Sequence, residues 1–85
     1  MRIAIADDDA EIIAFLAKVI DGMGYQSVAF NDGERLTQAL LRDTFDLVLL
    51  DWSMPGRNGI DVIRWMSETL EDPPAIIMMT NRTAK

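Results

Sequence analysis

Four short apolar runs punctuate the chain at similar intervals: RIAIA (2–6), SVAF (27–30), DLVLL (46–50) and AIIMM (75–79). Each has the length of a strand, and three of them are almost continuously apolar, as strands covered on both faces are. Between the first two runs, AEIIAFLAKVIDGMG places Ile12, Leu16, Val19, Ile20 and Met23 on one helical stripe, with Gly22 and Gly24 as the stop. Asp8 and Asp9 both qualify as the cap of that helix, and Glu11 lies favourably in its first turn. Asn31-Asp32-Gly33 opens a shorter helical pattern through Leu36, Ala39 and Leu40. Asn58-Gly59 opens a third through Ile60, Ile63, Met66 and Leu70. Asn-Gly between apolar runs also suits a hairpin, but the spacing after Gly59 is helical rather than alternating. Asp72-Pro73-Pro74 ends the third helix, because a residue before proline is pushed out of helical geometry.

The order strand, helix, strand, helix, strand, helix, strand predicts an α/β domain with a parallel sheet and helices on both faces. Right-handed crossovers leave few topologies. In the common doubly wound order 2-1-3-4-5, the first and third strands are neighbours and ligands bind beyond their carboxyl ends. That arrangement brings the acidic run Asp7-Asp8-Asp9 beside Asp51 and puts Thr80, after the fourth strand, on the far side of Asp51.

Taken singly, these acids have ordinary explanations: Asp51 as a turn former, the acidic run as a helix cap on a solvated turn. Together at adjacent strand tips they need another. Carboxylates within roughly 4 to 6 Å of each other repel by about 3 to 4 kcal/mol at an effective dielectric near 20. A divalent cation relieves that repulsion and keeps Asp51 ionised as a nucleophile at neutral pH. An all-oxygen ligand set favours a hard ion, and Mg2+ fits best because it takes one or two carboxylates, keeps several waters and accepts phosphate oxygens. A carboxylate beside Mg2+ is suited to accept a phosphoryl group as an acyl phosphate.

Composition narrows the alternatives. The 85 residues hold neither cysteine nor histidine, which removes disulfides, thiolate or histidine zinc sites and any histidine general base. A net charge of −6 with only eight scattered basic residues argues against direct nucleic-acid binding. No apolar run is long enough for a signal peptide or a membrane span, so the expected location is cytoplasmic, with no membrane partner. The 49% apolar and 26% charged composition is that of a globular domain, one at most at this length.

The segments IAIADDDAEI, DLVLLDWSMPGRNGIDVI and AIIMMT together resemble the receiver domain of two-component response regulators, with its flavodoxin-like fold, over the whole of residues 1–85. The middle segment is highly specific, the outer two moderately so. The resemblance implies that Asp51 is the phosphoacceptor, taking a phosphoryl group from a histidine kinase or phosphotransfer protein. It further implies that Asp8 is a direct Mg2+ ligand, that Asp7 acts through metal-bound water, and that Ser53 offers its backbone carbonyl to the ion. Thr80 would be the switch hydroxyl, and Met54-Pro55 with Gly59 the turn that shapes the loop. Such a module is a switch that catalyses only its own phosphorylation and dephosphorylation, rather than an enzyme acting on other substrates.

The family's fifth strand carries a lysine that pairs with the phosphoryl group, and its last helix follows; the 85 residues stop before either, so the domain reads as incomplete at its C-terminus. Lys85, five residues past Thr80, does not occupy that lysine's place. Asn58 stands where the family commonly has aspartate, a change the turn accepts because Asn tolerates left-handed geometry. AIIMM lacks the proline or charge that blunts natural edge strands, which predicts self-association through the fourth-strand edge. Two other readings stay open. One is an aspartyl-phosphate phosphohydrolase built on Asp7 and Asp9 as Asp-x-Asp. The other is an interaction fragment that keeps the acidic pocket but takes no phosphoryl group.

Overall fold

The computed structural model describes residues 1–79; Thr80 and the five residues after it lie outside the described part. Four strands and three helices alternate: β1 (Arg2–Ala6), α1 (Ala10–Gly22), β2 (Gln26–Phe30), α2 (Gly33–Arg42), β3 (Leu47–Asp51), α3 (Gly59–Thr69) and β4 (Ala75–Met79). The sheet is parallel in the order β2-β1-β3-β4, one of the few topologies that right-handed crossovers leave. The described strands and helices form the doubly wound parallel arrangement expected from the order of the apolar runs, and the flavodoxin-like order that the resemblance implies.

Strand alternation divides the core in two. Ala4, Ala6, Val48 and Leu50 point to the face covered by α2 and α3, where they meet Leu36, Ala39, Leu40, Val62 and Met66. Ile3 and Ile5 point to the opposite face and pack with Ile20 of α1. Helix formation follows the local signals. Asp9, Asp32 and Asn58 each stand in extended geometry as N-caps, accepting from the backbone N–H of Glu11, Arg35 and Asp61 respectively. The end of α1 closes in a Schellman motif, with Gly24 N–H donating to Asp21 O and Tyr25 N–H to Ile20 O.

The inward face of α1 differs from the expected stripe. Ile13, Leu16, Ala17 and Ile20 meet the sheet, while Val19 and Met23 face outward beside Phe15, which is 65% exposed. The helix is apolar nearly all round, so periodicity alone could not choose the buried side. Another difference lies after β3. Asn58 has φ −79° and caps α3, and the left-handed residue of that loop is Gly56 at φ +82°. Asn serves here through its side-chain oxygen, a role aspartate fills equally well.

Gly22 closes α1 with open space where a side chain would sit. Gly22→Ala is expected to raise stability by about 0.5–1 kcal/mol through the lost entropy of the unfolded chain. Urea unfolding measures this as a higher midpoint at unchanged slope.

Candidate functional site

Sheet register creates the site. Ala6 of β1 lies opposite Leu50 of β3, so the next residue on each strand, Asp7 and Asp51, emerge side by side at the carboxyl end. The Asp7 N–H donates to Phe30 O at 3.1 Å, tying the turn after β1 to the end of β2. The Asp7 carboxylate accepts from the Asp9 N–H at 2.9 Å, which turns the chain into α1. Asp8 stands between them, exposed. One carboxylate oxygen from each of Asp7, Asp8 and Asp51 lies within 4.8 Å of the others.

Asp7 and Asp51 are nearly sealed from solvent, at 1% and 3% exposure. Burial pushes the Asp7 carboxyl above the ordinary aspartate range; the Asp9 N–H pulls it back, and the charges of Asp51, Asp8 and Asp9 add to the rise. Burial likewise raises Asp51; the Ser53 and Trp52 N–H groups and Asp7 oppose the rise, and the Asp8 charge adds to it. Two buried acids and an exposed third at the rim form a pocket short of positive charge. Among the described residues, Asp7, Asp8 and Asp51 are the group of acids arranged to hold a metal ion. The donor set is all oxygen and carries three negative charges, which fits a hard divalent cation such as Mg2+.

Of the other expected site residues, Ser53 follows on the exposed turn two positions after Asp51, Met54 is buried in the core beneath that turn, and Thr80 lies outside the described residues. Asp9 is not part of the cluster, since its carboxylate caps α1. The Asp-x-Asp arrangement of a phosphohydrolase is therefore not assembled. Gly59 was expected only to shape the turn, yet it carries a steric duty too: a Cβ there would meet the Asp51 carbonyl oxygen at 2.9 Å. The helix start at Asn31-Asp32-Gly33 is where the sequence places it, but its contact with the loop after Asp51 is not legible there. Gly33 N–H donates to Pro55 O at 3.1 Å, and Arg57 Nε donates to Glu34 Oε1 at 2.8 Å, so α2 grips the loop that follows Asp51. Asn31-Asp32-Gly33 announced a helix start, and nothing in its sequence announces the contact with residues 55–57.

Known proteins resemble this chain over nearly its whole length. The model of the response regulator receiver domain matches residues 3–85. The transcriptional regulatory protein CpxR of Klebsiella pneumoniae is 40% identical over 81 residues, covering 95% of this chain and 34% of that protein. The DNA-binding response regulator MtrA of Mycobacterium tuberculosis is 39% identical over 82 residues, covering 96% of this chain and 35% of that protein. The chain thus spans about a third of the length of the curated relatives it matches. Among solved structures, the response regulator TrrA of Thermotoga maritima, in complex with Mg2+-BeF, matches with a TM-score of 0.87 at 29% identity, over 96% of this chain and 70% of that one. The receiver domain of Francisella response regulator 1452 matches with a TM-score of 0.88 over 98% of this chain and 68% of that one; at 22% identity it speaks for the fold alone.

Proposed function

This chain belongs to the response regulator receiver-domain family, and on that premise we propose that residues 1–85 act as one phosphoacceptor module in which Asp51 takes a phosphoryl group from a histidine kinase or phosphotransfer protein. The observation that carries the reading is the convergence of Asp7, Asp8 and Asp51 within 4.8 Å at the carboxyl end of β1 and β3. In the transfer, an Asp51 carboxylate oxygen attacks phosphorus, a P–O bond forms, the donor's P–N bond breaks, and the departing imidazole takes a proton from solvent. Asp7, Asp8 and Asp51 would hold Mg2+, with the Ser53 carbonyl as a further ligand. The ion supplies charge neutralisation for the phosphoryl oxygens.

The chain's own residues do the rest. Burial of Asp51 at the strand tip fixes the attacking oxygen and strips water from it. The exposed side of the pocket, at Asp8, leaves an approach for the donor. Thr80 is assigned the switch hydroxyl on the family pattern. The module acts on itself as a switch, in line with a family of signalling regulators rather than enzymes. No helix among the described residues is long and apolar enough to cross a membrane, and we assign the module to the cytoplasm.

Incubation with Mg2+ and a small phosphodonor such as acetyl phosphate tests the reading. Intact mass should show one added phosphoryl group, stable to acid and labile to base. A folded protein that gains none removes the phosphoacceptor reading and favours an interaction fragment.

Self-association through β4 belongs to the same proposal. Among the described residues β4 pairs with β3 alone, and Ile77 on it is 51% exposed. An unpaired, uncharged strand edge is a template for another chain. Light scattering is expected to give a mass that rises with concentration, and a clean monomer at high concentration removes the self-association while leaving the phosphoacceptor reading to the labelling test.

A further inference from the structure

The loop from Trp52 to Asn58 leaves Asp51 and returns to α3, and its two ends are fixed close to the carboxylates. At the far end, the Gly59 N–H donates to Trp52 O at 3.0 Å. Beneath the loop, Met54 is buried in the core. Its outer half is held from a different element. Gly33, the first residue of α2, donates its N–H to Pro55 O. The backbone of Arg57 lies where a Gly33 side chain would be: a Cβ there would fall 2.7 Å from Arg57 Cβ and closer still to the Arg57 carbonyl oxygen. Gly56, at φ +82°, backs onto the Glu34 N–H, with an added Cβ 3.3 Å from that nitrogen. The Arg57 side chain then closes the contact through Glu34, and its guanidinium sits 6.0 Å from the centroid of the Trp65 ring on α3.

We propose that Gly33 and the Glu34–Arg57 pair are positioning residues for the carboxylate pocket, holding the post-Asp51 loop from α2 so that Asp51 and the Ser53 carbonyl keep their places. The consequence for the pocket rests on the phosphoacceptor reading above; the latch itself rests on geometry alone. Its two parts differ in strength. The Glu34–Arg57 pair is partly exposed, and solvent screening keeps the contribution of such pairs small. The Gly33 contact is steric: any side chain there requires the loop to move or α2 to back away. Displacements on the order of 1 Å at a reacting group can cost about a hundredfold in rate.

The test measures Mg2+ affinity by calorimetry, together with amide hydrogen exchange over residues 52–58 in metal-free protein. Gly33→Ala is expected to weaken Mg2+ binding about tenfold and to speed exchange in the loop while leaving α1 and β2 protected. Glu34→Ala and Arg57→Ala should each weaken Mg2+ binding about two- to fivefold, and the double variant no further, because the pair acts as a unit. A purely electrostatic influence would move those two variants in opposite directions, since one removes a negative charge and the other a positive one. Gly22→Ala, distant from the loop, should leave both readouts unchanged. Native Mg2+ affinity and native loop exchange in Gly33→Ala overturn the proposal. If Gly33→Ala does not fold, opposite shifts in the two single variants overturn it instead. Should the wild-type protein bind no Mg2+, the phosphoacceptor reading fails, and loop exchange still decides whether α2 holds the loop.

Discussion

Asparagine in place of Asp51 is expected to leave the protein folded and wholly unlabelled by a phosphodonor. The carboxamide keeps the size of the side chain and fills the same nearly sealed position, so the core around Leu50 and Met54 has no reason to rearrange. What it lacks is the anionic oxygen that attacks phosphorus, and no neighbour can replace it. Asp7 is engaged with the Asp9 N–H, and Asp8 stands at the exposed rim. The same substitution should raise the thermal midpoint of the metal-free protein at neutral pH, because it removes a buried charge that the Asp8 carboxylate repels. Loss of labelling with a gain in stability separates a site residue from a structural one, for which both would fall. Asp7→Asn provides the contrast: it should retain labelling at a reduced rate, whereas in a phosphohydrolase using the first-strand aspartate it would abolish it. Labelling that persists in Asp51→Asn would show that the acceptor lies elsewhere.

Much of this site was legible in the sequence. The β1, β3 and β4 apolar runs were placed to within a residue, because continuous apolar runs bounded by acids, Asn-Gly and Pro-Pro leave little freedom. Right-handed crossovers leave few topologies, and the common doubly wound order among them makes β1 and β3 neighbours, which is why Asp7 and Asp51 could be paired across 44 positions of sequence. The buried side of α1 was not legible. Phe15, Val19 and Met23 are as apolar as the residues that meet the sheet, and only the geometry of the crossover chooses between the two sides. The α2 latch was hidden for another reason. Its main element is the absence of a side chain at Gly33, and a glycine beside Asp32 reads first as a helix opening. Asn58 opens α3 as its place in the sequence suggests, but left-handed geometry and capping favour the same residue, and only the fold shows that it serves as the cap.

Mg2+ is expected to invert the way stability depends on pH. In the metal-free protein, Asp7 and Asp51 both have folded-state pKa values raised by burial, so the folded state holds their protons after the unfolded chain has released them. Stability then falls as pH rises through this window, because wherever the native state binds more protons than the unfolded state the slope against pH is negative. Their contribution is fully favourable below the ordinary aspartate range and is lost by the time pH has passed the raised values. With Mg2+ present the ionised cluster becomes the binding-competent form, and free ion at a hundred times its dissociation constant adds about 2.7 kcal/mol at neutral pH. For a domain of this size that corresponds to a rise of roughly 10–20 °C in thermal midpoint. On the acid side protons compete for the same oxygens, and the rise should shrink towards zero. Thermal melts across pH with and without Mg2+ measure this directly. Asp51→Asn and Asp7→Asn should flatten both curves, since each removes one titrating acid and one ligand. A folded wild-type protein whose midpoint at neutral pH does not respond to Mg2+ would show that the three carboxylates, despite lying within 4.8 Å of each other, are an acidic turn and not a cation site.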